Sequence, residues 1–331
     1  MKYMKRVAIY GLGSIGRLIA KELLKREHEI VAVVDIDPNK VGKDVGVLLG
    51  LEEELGVKVT NDPNVLKEVK PQVTLHATGS YLDKVFDQLL YIIDSGSHVI
   101  STCETLAYPY YRYPELAKLL DEKSREHGVV VLGSGVNPGF IFDTLLILLT
   151  AVCSRVDRIS AKRIIDVSKR RWQFIKKVGV GLSQEEFYEK LKKGMIAGHV
   201  GYAESIMLLA DSLGIKLSKI KEDQKLILAK ETVKTCNIQV EKGRVIGIHG
   251  TGIGYTKDRE FIRLELVAYL GAKDYEEITI KGEPDMHWVN EVGIHGDKAT
   301  AAIMTNLVKS IEKLKPGLRT MKDLVLVSFK V

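Results

Sequence analysis

The sequence predicts an α/β protein with two units: an N-terminal Rossmann unit with a doubly wound parallel sheet, then an α+β unit on a mostly antiparallel sheet. Three observations carry this. β-branched runs alternate with amphipathic helical stretches through the first 135 residues. A glycine turn, Gly11-Leu12-Gly13-Ser14-Ile15-Gly16, joins the first strand to the first helix. Beyond about residue 150, strand-like runs follow one another with few helices between. At 331 residues the chain exceeds a typical single domain, and the division is expected at 1–136 and 137–296.

Residues 6–10 are an apolar strand, and 14–25 a helix with Ile15, Leu18, Ile19 and Leu23 on one face. Residues 30–35 (IVAVVD) are a continuous run, as expected for a strand covered on both faces. A strand at 57–60 follows, then Asp62-Pro63 as N-cap and first helical residue. Strands at 73–77, 98–101 and 129–132, with helices ending at Gly96 and spanning 114–128, complete the alternation. Runs at 155–167, 233–239, 245–255, 261–269 and 277–280 read as the second unit's strands, and residues 241–244 (EKGR) suit an antiparallel hairpin. Two helices interrupt that sheet: one opens at the capping box Ser183/Glu186, and one spans 202–213 before Gly214. A last helix, 298–314, is expected between Asp297 and Pro316-Gly317.

Hydrophobic residues make up 45% and charged residues 28%, with a net charge of +6 spread among interleaved acids. This is the composition of a globular protein, not of a nucleic-acid binder or a disordered chain. Lys162, Arg163, Lys169, Arg170, Arg171, Lys176 and Lys177 crowd one segment. They read first as a solvated strand face, and alternatively as a holder of an anionic substrate or cofactor phosphate. Cys103, Cys153 and Cys236 lie far apart without CxxC spacing, which disfavours a disulfide framework or zinc cluster. The N-terminal MKYMKRVAIYGLG runs directly into a strand, so no signal peptide is expected. The longest apolar stretch, 140–152, contains Asp143 and is too short to span a bilayer. A cytoplasmic location is expected.

The glycine turn predicts dinucleotide binding because each glycine has a mechanical job. Gly11 permits the tight turn, Gly13 lets the backbone amides of Ser14 and Ile15 approach a pyrophosphate, and Gly16 lets helix and strand pack closely. Asp35, about twenty residues on, favours NAD by bonding the adenosine ribose, whereas Lys40 and Lys43 soften that preference and leave NADP open. In an open parallel sheet the ligand lies beyond the carboxyl ends of the strands. The segments leaving those ends are Ala77-Thr78-Gly79-Ser80, Ser101-Thr102-Cys103-Glu104 and the run from Gly133 to Phe140, and these should frame the nicotinamide. Glu104 is the carboxylate suited to general acid–base work, while Cys103 reads as small packing. Asn137-Pro138-Gly139 reads as a hinge with a polar side chain toward the cleft. His199 lies between glycines at a helix start, as a ligand-facing group or a cap. His249, His287 and His295 show no metal-ligand spacing and no HExxH occurs, so no metal site is expected.

These motifs, together with KVGVGL at 177–182, GHVG at 198–201, GDKATAA at 296–302 and PGL at 316–318, resemble the dihydrodipicolinate-reductase-like group that includes 2,4-diaminopentanoate dehydrogenase and the native amine dehydrogenases. The resemblance implies oxidative deamination of a small amine, or reductive amination with ammonia, using NAD or NADP. It places the acid–base role on Glu104 and a substrate pocket between the lobes, with Asn137, Pro138, Phe140 and His199 as lining residues. It further implies that residues 297–331 return to the Rossmann unit, and that two copies pair through the second unit. True dihydrodipicolinate reductases carry a histidine pair with its downstream lysine, and a DAPSGTA-like turn, and residues 164–177 have neither. Reduction of a cyclic imine or enoic acid is the alternative chemistry, and a non-catalytic dinucleotide sensor the alternative without chemistry.

Overall fold

The computed structural model describes residues 4–196, 198–235, 238–257 and 259–324. Cys236 and the end of the returning segment, 325–331, lie outside the described residues. The chain divides into two compact units: one runs to Phe140 and resumes at Gly296, and the other is Ile141–His295. The first boundary falls at Phe140 rather than 136 because the loop closes on itself. A Cβ at Gly139 would lie 2.3 Å from the Gly135 nitrogen, and the Phe140 N–H donates to the Val136 carbonyl at 3.1 Å.

The first unit begins β1 (Arg6–Tyr10), α1 (Ser14–Lys25), β2 (Glu29–Val34), α2 (Val45–Leu49), β3 (Val59–Thr60) and α3 (Val65–Val69). It continues β4 (Val73–His76), α4 (Leu82–Asp94), β5 (His98–Ser101), α5 (Pro109–Arg112), α6 (Pro114–Glu126) and β6 (Val130–Gly133). All strand pairs are parallel, in the order β6-β5-β4-β1-β2-β3. The order reverses between β1 and β4, where the crevice for a ligand opens in a doubly wound sheet. Val7, Ile9, Val73, Leu75, Val99, Ile100 and Val131 are fully buried, which is why these strands read as unbroken apolar runs. Asn64, not Asp62, stands at the N-cap position of α3, without a side-chain cap bond, and Asp62 accepts the Asn64 N–H at 2.9 Å.

The second unit comprises α7 (Thr144–Thr150), β7 (Arg155–Asp166), α8 (Trp172–Lys177), α9 (Gln184–Lys192), α10 (Tyr202–Ser212) and β8 (Lys219–Leu228). There follow β9 (Val233–Lys234), β10 (Gln239–Val240), β11 (Val245–Thr256), β12 (Arg259–Tyr269), β13 (Tyr275–Glu283) and β14 (Met286–Asn290). Its six-stranded sheet, β14-β13-β7-β12-β11-β8, is antiparallel except for the β7–β12 pair. Helix α10 packs on β11 at such close range that a Cβ on Gly252 would lie 2.6 Å from the Tyr202 Cβ. The capping box at Ser183/Glu186 is formed in both directions.

Several sequence expectations change here. The edge strands β8 and β14 are absent from the periodicity reading: β8 carries charged side chains on both faces that blur a two-residue alternation, and β14 (MHWVN) is five residues long with apolar side chains on both faces. Residues 233–239 are not one strand; β9 and β10 pair with each other as a separate ribbon. The 241–244 turn joins β10 to β11, which are not partners, since the Gly243 N–H goes to Ala229 and the Val245 N–H to Leu182. The basic segment is no continuous solvated strand: Arg163 is 1% exposed, and 172–177 is helical.

The chain then re-enters the first unit through α11 (Gly296–Leu307), packed on α1, and β15 (Gly317–Arg319), which adds a seventh parallel strand beside β6. The helix expected to reach 314 ends at Leu307, where i→i+3 bonds from Val308 to Thr305 and from Ser310 to Leu307 tighten the turn. Asp297 sits within its first turn, where a carboxylate favours the helix dipole.

Candidate cofactor and active site

The turn between β1 and α1 is shaped by its glycines. Gly11 holds φ +97°, and a Cβ there would meet the Ala77 carbonyl oxygen at 2.6 Å; one on Gly16 would lie 1.9 Å from the Gly11 oxygen. Gly13 is different. A Cβ there meets nothing within 4 Å, so the turn presents open space at the N-terminus of α1. That terminus has no side-chain cap at Gly13 and no acidic residue in its first turn, which suits an anionic pyrophosphate. Gly13→Ala therefore separates fold from binding. With φ at −73° the variant should fold with stability within about 1 kcal/mol of the parent, the entropy removed from the unfolded chain being offset by the loss of a favoured N-cap residue. Its dinucleotide affinity should fall about tenfold or more, read by thermal melting beside a cofactor titration.

Asp35 follows β2 and is held by three donors. Its Oδ2 accepts the Leu12 N–H at 2.7 Å and the Lys40 ammonium at 3.0 Å, and its Oδ1 accepts the Asp37 N–H at 2.9 Å. Lys43 is exposed and bonds here through its backbone. Ile36, which the sequence reading passed over, is 84% exposed beside Asp35 and offers the kind of apolar surface an adenine ring covers. Its signal was an apolar residue placed between two aspartates.

At the exits of β4 and β5 a buried polar network joins the expected segments. The His76 ring lies 2.8 Å from Ser101 Oγ through Nδ1, and through Nε2 lies 2.9 Å from Gln88 Oε1 and 2.8 Å from Thr78 Oγ1. Burial draws His76 down to about 4, so the ring is neutral at physiological pH. Gln88 Oε1 can only accept, which places the ring proton on Nε2 and leaves Nδ1 to accept from the Ser101 hydroxyl. The Ser101 oxygen in turn accepts the Cys103 N–H at 3.1 Å.

A pH dependence follows from that depressed value. The unfolded chain protonates His76 near 6.5 and the folded chain does not, so its stabilisation is full above pH 6.5 and drains away between 6.5 and 4. The drop amounts to about 3 kcal/mol at the low end. Melting temperatures taken from pH 7.5 to 4.5 should show it, and His76→Asn should flatten that slope.

Glu104 opens a single 3-10 turn, Glu104–Leu106, immediately after this network and is half-buried. The Thr105 N–H donates to the Ser80 carbonyl at 3.1 Å, and Thr105 Oγ1 accepts the Leu82 N–H at 2.8 Å, which ties the β5 exit to the Gly79-Ser80 loop. A Cβ on Gly133 would lie 2.5 Å from the Leu106 carbonyl carbon, so the β6 exit abuts the same turn. Cys103 is buried and its thiol is pushed up to about 12, by burial first and the Glu104 charge second, so it packs and is no nucleophile. Asn137 and Phe140 are half-buried, while Pro138 is buried. Ser134, within the expected 133–140 run but not singled out there, buries its Oγ without a hydrogen-bond partner among the described residues. An orphaned hydroxyl at a strand exit fits a polar group of a bound ligand.

Contacts thus link the Gly11, Ala77, Ser80, Glu104 and Gly133 segments along the carboxyl end of the first unit's sheet. His199 belongs to the second unit. Gln224 clamps its backbone from both sides, at 2.7 and 3.0 Å, and its ring packs edge-on against Tyr202 at 4.5 Å. Gly201, not His199, occupies the N-cap of α10. Burial, then the Lys177 and Arg163 charges, draws His199 down to about 3, and its Nε2 has no hydrogen-bond partner among the described residues. Among the described residues no group of three or more histidines, cysteines or carboxylates is arranged to hold a metal, and no helix is long and apolar enough to cross a membrane.

Comparison with known proteins gives concordant findings. The family model of the 2,4-diaminopentanoate dehydrogenase C-terminal domain matches residues 140–329. A 2,4-diaminopentanoate dehydrogenase of Acetoanaerobium sticklandii is 34% identical over 96% of this chain and 93% of its own length. An amine dehydrogenase of Streptomyces virginiae is 27% identical over 75% of this chain and 68% of its own. The structure of an amine dehydrogenase from Mycobacterium smegmatis superposes with a TM-score of 0.89 at 25% identity, covering 98% of this chain and 97% of that one.

Proposed function

The chain belongs to the 2,4-diaminopentanoate dehydrogenase family, and from that premise we propose that it oxidatively deaminates a small amine such as 2,4-diaminopentanoate, or runs the reverse amination of 2-amino-4-oxopentanoate, with NAD or NADP. One observation carries the chemistry. Glu104 is held at the exit of β5, at the carboxyl end of the sheet, where the exit of β1 presents the glycine turn.

When bound, the nicotinamide supplies the hydride acceptor. Loss of hydride from the amine-bearing carbon leaves an iminium, whose positive charge the Glu104 carboxylate favours. Glu104 then takes a proton from the water that adds to that carbon and returns it to the nitrogen as the carbon–nitrogen bond breaks. Ketone and ammonia leave, and one further proton is released. In the amination direction Glu104 holds ammonia and protonates the departing hydroxyl. Ala77, Thr78, Gly79 and Asn137 are assigned to the nicotinamide end of the cofactor, and Asn137, Pro138 and Phe140 to the substrate. Asp35 favours NAD through the ribose hydroxyls.

The test is oxidation of NADH or NADPH with 2-amino-4-oxopentanoate, expected to depend on added ammonia. Ammonia-independent turnover of tetrahydrodipicolinate would overturn the reading in favour of cyclic imine reduction. Tight cofactor binding without turnover of any amine would overturn it in favour of a sensor.

We also assign a homodimer through the second unit. The sheet face opposite α10 holds a cleft of about 280 Å³ where Arg158, Lys162, Arg263 and Lys281 alternate with Glu265 and Glu277. A face bearing both signs can complement a second copy of itself across a two-fold axis. Light scattering should give twice the 36.9 kDa chain mass, and Arg263→Glu should shift the species toward monomer.

A further inference from the structure

We propose that Lys40 sets the cofactor range of this protein: its ammonium, parked on Asp35, is the group that takes up the 2′-phosphate of an NADP-type dinucleotide, so that both dinucleotides are accepted. The inference rests on the dinucleotide reading above and deepens it. A carboxylate after the second strand of a Rossmann sheet ordinarily repels a 2′-phosphate. Here that carboxylate is not bare. Lys40 lies 3.0 Å from Asp35 Oδ2 and 3.4 Å from Asp37 Oδ2, with side chains 15%, 9% and 37% exposed. The Lys40–Asp35 pair is sheltered enough that its attraction is only partly screened.

The three donors on Asp35 differ in what they can do. The Leu12 and Asp37 N–H groups belong to the backbone and keep the carboxylate in place whatever else happens. The ammonium sits on a flexible four-carbon stem, and a change of rotamer can carry it off without unmaking the other two bonds. With NAD, it stays on Asp35 while the ribose hydroxyls use the carboxylate's remaining lone pairs. With NADP, it turns to the phosphate, and Asp35 stays anchored through its backbone donors. Lys43, three residues on, is exposed and has no contact with Asp35, so proximity in sequence alone does not give it this role.

Direct titration of NADH and NADPH by nicotinamide fluorescence, at one fixed ionic strength, tests this without reference to turnover. The protein should bind both. Lys40→Met should raise the ratio of the NADPH to the NADH dissociation constant by about tenfold or more, the scale of one charge-assisted hydrogen bond. Lys40→Arg should restore most of that ratio, and Lys43→Met should move it less than about threefold, as expected of an exposed, screened charge. An equal change in both constants with Lys40→Met, or binding of NADH without NADPH by the unaltered protein, would overturn the assignment and leave the dinucleotide reading standing. Binding of neither would overturn both.

Discussion

Glu104→Gln is expected to lower turnover in amine oxidation and in the reverse amination by about 10²–10⁴-fold, the range for removing a positioned acid–base group. The substitution keeps the size of the side chain and removes its ability to take a proton from water. The turn that carries it is built from backbone and hydroxyl bonds of Thr105, Ser80 and Leu82, none of which needs the carboxylate. The diagnostic is a collapse of kcat in both directions in protein that circular dichroism and dinucleotide titration show to be folded and cofactor-competent. Glu104→Asp should recover part of the loss, since it restores the base at a displaced position. A Glu104→Gln protein with most of its turnover in both directions would remove Glu104 from the mechanism.

Arg163→Met is expected to destabilise the second unit by about 3–5 kcal/mol, the cost of leaving one member of a buried ion pair uncompensated. Arg163 and Glu276 are each 1% exposed and lie 2.9 Å apart, on neighbouring strands β7 and β13. Burial draws the guanidinium down to about 10 against the opposing Glu276 charge, so it remains protonated at neutral pH. Arg163 also donates to the Ile294 carbonyl at 2.8 Å, while Glu276 accepts from Ile294 N–H and Asn290 Nδ2. The pair thus fastens the segment after β14 to the centre of the sheet. Denaturant unfolding should show the loss. The double variant Arg163→Met/Glu276→Gln should be more stable than the sum of the single losses, because the second change removes the stranded charge. Simple additivity would argue that the pair is not coupled.

Much of the first unit was legible in the sequence because its signals are local. Unbroken apolar runs mark strands buried on both faces, and the spacing of Gly11, Gly13 and Gly16 answers to steric contacts within a single strand–turn–helix unit. The capping box at Ser183 is likewise a four-residue matter. Legibility failed where a neighbour distant in sequence decided the outcome. β15 is three residues long and becomes a strand only because β6 offers it a free edge. β8 carries Lys219, Lys221, Glu222, Asp223 and Lys225, a pattern that reads as a solvated loop until β11 pairs with it. Arg163 sits in a run of cations that looks like a wet surface, and partners more than a hundred residues on, Glu276 and the Ile294 carbonyl, make its burial tolerable.

The sequence by itself determined the fold class, the position of the glycine turn and the family, since each depends on residue types at short, set spacings. Tertiary structure alone decided which charges are spent on one another. It puts Lys40 on Asp35, His76 between Ser101 and Gln88, and Arg163 on Glu276. The physical reason is that a charge or hydrogen-bonding group takes its character from whatever lies within about 4 Å of it and from how much water is excluded there.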